Sequence, residues 1–147
     1  MHSKILLTIS FISASALLFL HQFALIYYWY WLYWWFDILT HFIGGFVLAS
    51  LFAYVYIFGV HKNIDRVNVF ILIFLLTLFL GLVWELFEVV IKSTGVFEPD
   101  YTIDTFSDLV VDLAGGMFFY LIYSSFFKPK EINKNNPVRD PRPQQIR

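Results

Sequence analysis

The 147-residue sequence predicts an all-α, polytopic membrane protein, a bundle of four transmembrane helices, and three observations carry that reading. Apolar residues make up 59% of the chain and charged residues only 14%, against about 25% charged in a soluble domain. Four apolar stretches each reach the roughly 20 residues needed to cross a bilayer. Aromatic residues supply 22% of the chain, with 18 Phe, 9 Tyr and 5 Trp, as suits rings that sit at membrane interfaces. Cysteine is absent, which excludes disulfides, thiolate nucleophiles and thiolate metal sites. The net charge of −1 says nothing about nucleic acid, since most basic residues lie in one tail, and no nucleic-acid partner is expected.

The elements follow in order. The first span covers residues 5–27 and carries one polar interruption, His21-Gln22. Lys4 ahead of an apolar run is also how a secretory leader begins, but the run is long and no small-x-small site ends it, so it is read as a span. Residues 27–36, YYWYWLYWWF, are aromatic except for Leu32. Such a run reads as an interfacial anchor, with a stacking surface for a ligand as the alternative. The second span, 37–60, ends at the polar HKNIDR, and the third covers 67–91. The connection KSTGVFEPDYTI follows, punctuated by Gly95 and Pro99, and the fourth span is 104–127. Residues 1–127 thus form one transmembrane domain. Residues 128–147 hold four of the five prolines without apolar periodicity and read as a basic, disordered tail.

Sidedness comes from the basic residues. Under a four-helix topology Lys4, Lys62, Arg66, Lys128, Lys130, Lys134, Arg139, Arg142 and Arg147 share one side, and Lys92 stands alone on the other. The positive-inside rule then puts both termini in the cytoplasm and the chain in the cell membrane.

With that topology, acids from three helices reach one depth, in the outer half. Asp37 starts the second span, with His41 one turn deeper; Glu85 and Glu88 close the third; Asp104, Asp108 and Asp112 descend the fourth. At 1.5 Å per residue, Asp112 lies only about 12 Å below Asp104. Spacings of three and four keep each set on one helix face. Those faces continue into Gly44, Gly45, Gly81, Gly115 and Gly116, small residues that let membrane helices approach closely. DILTHFIGG at 37–45 also echoes DLVVDLAGG at 108–116, as if the second and fourth spans were parallel partners around a shared polar centre.

An unpaired Asp at the bilayer centre costs about 2.5–3.5 kcal/mol on insertion scales, so such a cluster needs metal ions, shared protons or water. Capping of helix N-termini is an alternative for Asp37 and Asp104. If metal binds, Asp37, His41, Glu85, Glu88, Asp104, Asp108 and Asp112 are the candidate ligands. Carboxylates with one imidazole suit Mg2+, Mn2+, Ca2+ or Zn2+. A cation there would polarise a phosphate and activate water, with Glu85, Glu88 and His41 as candidate catalytic groups. Without metal, His41, Asp37 and the glutamates read as a proton or cation relay. His2, His61 and His21 are weaker candidates, His21 reading as an interfacial polar residue. No Gly-rich phosphate loop, Gly-x-Ser-x-Gly elbow or His-Glu-x-x-His helix occurs.

Asp37-x-x-x-His41, Glu85-x-x-Glu88 and Asp108-x-x-x-Asp112-x-x-Gly115, in order over residues 35–120, make the chain resemble the YjdF-like and VanZ-like bacterial membrane proteins. VanZ-like chains carry Gln and Asn where this one has Glu88 and Asp112, and an outer loop with Arg where it has Lys92. YjdF-like chains carry Gly-Asp-x-Trp-Asp before the Asp ladder, where this one has Asp100, Asp104 and Asp108 alone. The resemblance implies a bundle of four or more helices with a shared polar site, and it implies no reaction. The leading expectation is a divalent-cation protein of the cell envelope that acts on, or recognises, a lipid or cell-wall precursor headgroup. The alternatives are a proton- or cation-coupled transport or channel element, in which a homo-oligomer would widen the pathway, and a structural subunit of a membrane complex. Fusing a reporter that is active only in the cytoplasm after Arg147 tests the topology: activity there, with none when it is inserted beside Lys92, is the expected pattern.

Overall fold

The computed structural model describes residues 2–55, 66–91 and 101–126, and these are almost entirely helical, with no strand among them. Helix α1 is His2–Ile26, α2 Trp29–Leu32, α3 Trp34–Tyr54, α4 Arg66–Ile91 and α5 Tyr101–Phe126. The four long helices are each long and apolar enough to cross a membrane. Helices are the natural state of these runs, because lipid offers no partner to a free backbone N–H or C=O. Serines that fall inside them return their hydroxyl protons to the preceding turn, Ser10 to the Leu6 carbonyl at 3.0 Å and Ser13 to that of Ile9 at 2.8 Å. Lys62, Lys92 and the tail, on which the sidedness reading leans, lie outside the described residues.

The aromatic run makes the first reversal. Tyr28 adopts φ 59°, the left-handed region, which lets the chain leave α1 and start α2 within two residues. The Tyr28 carbonyl accepts from the Trp31 and Leu32 amides at 3.1 and 3.0 Å. Phe36 then pins the turn: it is buried, and Trp29 and Tyr30 meet its ring edge-on at 5.4 and 5.2 Å. The second long helix therefore begins at Trp34, inside the aromatic run and three residues ahead of the expected Asp37. Neither Asp37 nor Asp104 caps its helix. Each is the fourth helical residue, and Tyr33 occupies the N-cap of α3.

Helices α3 and α5 form the central pair, with α1 packed on α3 and α4 packed chiefly on α5. Contacts between them advance in the same direction along both chains, from His41 with Asp108 to Phe46 with Phe119, so the two run parallel. Glycine sets their separation. A Cβ on Gly45 would strike the Asp112 carbonyl, and one on Gly115 would strike the Phe42 carbonyl. At the end away from the acids, Leu6, Ala49, Ala53, Val69, Ile73, Phe119 and Tyr123 close all four long helices into an apolar core.

The two glycines of the first pair differ in what they face. A Cβ on Gly44 meets nothing closer than an Asp112 carboxylate oxygen at 3.8 Å, an ordinary contact. Thermal unfolding in detergent should therefore place Gly44→Ala within about 1 kcal/mol of the parent, since alanine is the better helix former. Gly45→Ala should lose about 2–3 kcal/mol, because backbone rather than a side chain must yield. Equal effects at both positions would mean that the helices are not in this register.

Candidate functional site

His41 is the hub of the polar end. It projects from α3 one turn below Asp37 and is 7% exposed. Its Nδ1 lies 3.4 Å from Asp112 Oδ1, and its Nε2 lies 3.8 Å from both Asp37 Oδ1 and Asp108 Oδ2. Both ring nitrogens thus face carboxylates, two of them on α5, and the glycine contact one turn further along brings α5 this close. Asp108 and Asp112 are buried, and Asp37 is about two-fifths exposed. The Asp112 carboxylate is wedged between α3 and α4, where glycine leaves room for it. A Cβ on Gly81 would come within 2.8 Å of Asp112 Oδ2.

The third helix contributes differently. Glu85 is buried, and its Oε2 accepts a hydrogen bond from the Thr105 hydroxyl at 2.8 Å, tying α4 to α5. Its other oxygen is buried without a partner. Glu88, one turn on, is half-buried, and its Oε1 accepts from Trp84 Nε1 at 3.1 Å. Asp104 is exposed.

A cavity of about 890 Å³ opens on this cluster. Asp37, His41, Glu88, Asp104 and Asp112 line its polar end, whereas Glu85 and Asp108 sit behind the lining. His21, expected as an interfacial residue, is on the wall, hydrogen-bonded through Nδ1 to the Tyr30 hydroxyl at 2.8 Å. Burial raises the Tyr30 pKa above its ordinary value of 10, so this phenol stays protonated. Tyr30, Trp31 and Trp34 of the aromatic run also line the cavity. Residue by residue, the sequence pointed to the acids and His41 but missed Thr105 and the Tyr30–His21 pair. A polar interruption six residues before an aromatic run was the only signal for that pair.

The arrangement offers one set of donors for a cation. One ligand atom each from Asp37, His41 and Asp108 lies within 4.8 Å of the others. Two ligands on one tetrahedral ion stand about 3.3 Å apart, so the two carboxylates, each 3.8 Å from Nε2, would have to turn inward to share an ion. The Asp112 contact on Nδ1 is the other half of a familiar pattern, in which a ligating histidine gives its second N–H to a carboxylate that fixes its tautomer. The same geometry equally suits an imidazolium held among three acids.

No curated protein and no solved structure matches the chain. A family model matches residues 4–129, a stretch that contains all four membrane-length spans and every residue of the polar site. The chain belongs to the family described as predicted membrane protein (DUF2238).

Proposed function

We propose that this is a cell-membrane protein that holds a divalent cation at Asp37, His41 and Asp108 and uses it to recognise, or act on, the headgroup of a lipid or envelope precursor. The observation that carries the reading is the two-sided environment of His41. Its Nδ1 is turned to Asp112 while its Nε2 is turned to two further carboxylates, at the polar end of a cavity large enough for a ligand. A neutral imidazole donating to Asp112 leaves its Nε2 lone pair for the ion, and Asp37 and Asp108 complete a three-ligand site with open positions. Mixed imidazole and carboxylate donors favour Zn2+ or Mn2+ over Mg2+ and Ca2+.

The remaining acids take supporting roles in this reading. Glu88 lines the cavity and would exchange a proton with water or substrate beside the ion. Glu85, held by Thr105 behind the lining, would balance charge and keep α4 and α5 in register. The resemblance to YjdF-like and VanZ-like chains supports a polar site assembled from the same three helices. With the acids placed on the outer side by the basic-residue count, the headgroup would be one presented in the outer leaflet.

The rival reading is a proton or cation relay through a protonated His41, and metal content separates the two. Elemental analysis of detergent-purified protein after incubation with Mn2+ or Zn2+ should give close to one ion per chain. Asp108→Asn should abolish it, and Asp112→Asn should weaken it by about 10–100-fold, as loss of a histidine's carboxylate partner does. Absence of metal from the parent under all conditions, with pH-dependent ion flux in liposomes, would replace this reading with the relay.

A further inference from the structure

The cavity is amphipathic along its length, and that gradient bears on what fills it. On α3 the lining passes from Asp37, Thr40 and His41 through Gly44 to Val47 and Leu48. At 1.5 Å per residue, Asp37 to Leu48 spans about 16 Å. Below the Asp112 carboxylate, which reaches Gly81, the lining is apolar on three helices: Ala14, Leu17 and Leu18 on α1, Val47 and Leu48 on α3, and Leu80 on α4. A headgroup bound at the acids would leave that lower half empty.

The cavity also opens sideways. Helix α1 packs on α3 and α4 packs chiefly on α5, and α1 and α4 have no substantial packing with each other. Leu18 and Leu25 on one rim, Val83 and Phe87 on the other, line the cavity and remain 45–59% exposed. In a bilayer that slit faces hydrocarbon.

Charge narrows the occupant further. Four carboxylates, those of Asp37, Glu88, Asp104 and Asp112, line the polar end, and no Lys or Arg is among the described residues that line it. Aromatic rings accompany them, those of Tyr30, Trp31, Trp34, Trp84 and Tyr101. Carboxylates with aromatic rings are the surroundings that favour an ammonium group.

We propose that the cavity takes a membrane lipid whose headgroup carries an ammonium group, admitted sideways between α1 and α4, with its chain in the apolar half and its head among Glu88, Asp104 and the rings. This deepens the reading of the cavity as a headgroup site and rests on it, though not on the cation. Lipid tails are as apolar as the walls, so the chain contributes packing and orientation rather than hydrophobic free energy. Selectivity therefore lies in the head.

The test uses native mass spectrometry of the full chain in detergent, with three probes: lysophosphatidylethanolamine, lysophosphatidylglycerol and chain-free phosphoethanolamine. The expected result is one lysophosphatidylethanolamine retained per chain, with at least tenfold weaker retention of the other two. Glu88→Gln with Asp104→Asn should remove the preference between the two lysolipids. Ala14→Trp fills the apolar half from an exposed position, so the bundle still forms, and it should cut lysophosphatidylethanolamine retention at least tenfold. Equal retention of both lysolipids by the parent, or retention unaffected by Ala14→Trp, would overturn the proposal. Tight binding of phosphoethanolamine alone would overturn it too, while leaving a headgroup site in place. Metal content of the Ala14→Trp protein is read in parallel: an unchanged value with lost lipid separates this proposal from the cation reading.

Discussion

The backbone-to-backbone contact of α3 with α5 is the constraint on which the rest of the molecule depends. Gly45 rests against the Asp112 carbonyl and Gly115 against the Phe42 carbonyl, so neither helix can rotate or slide without collision. Aqueous proteins fix such pairs by excluding water from side chains, but within lipid that drive is missing and close packing must serve. Asp112 is part of this contact, and His41 and Asp108 stand one turn from it. The polar site thus inherits its geometry from the tightest packing in the bundle.

That placement also explains how so many acids are tolerated. Buried carboxylates are costly unless something answers their charge. Here His41 answers three, Thr105 answers half of Glu85, and Trp84 answers Glu88. One oxygen of Glu85 stays unanswered. The bundle is packed and apolar at one end and hollow at the other, and the hollow end is where the polar groups collect. Its looseness follows from α1, which is mostly turned outward, with Phe11, Ile12 and Phe19 more than 60% exposed.

The internal echo acquires physical meaning in this arrangement. Residues 37–45 and 108–116 lie on parallel, adjacent helices, and the fifth positions of the two segments, His41 and Asp112, meet across the pair. The glycines meet the opposite backbone reciprocally, Gly45 near Asp112 and Gly115 near Phe42. One motif used twice builds both faces of a single contact. Where the copies differ, a histidine opposes an aspartate, so the centre joins an imidazole to a carboxylate rather than two carboxylates.

By itself the sequence determined the class of the molecule, its number of membrane helices and which residues gather at one end. Those properties are local: apolar run length follows from bilayer thickness, and acids at three- and four-residue spacing share a face by helix geometry alone. It also marked the small residues that allow close approach. Only the tertiary structure decided which glycine carries the contact, since Gly44 and Gly45 are neighbours in sequence and a hundred degrees apart around the helix, by the 3.6-residue turn. It alone separated Asp37, His41 and Asp112 on the cavity wall from Glu85 and Asp108 behind it, and brought His21 to Tyr30. Helix rotation and the unequal packing of α1 set those relations, and neither is written in the spacing of residues along one chain.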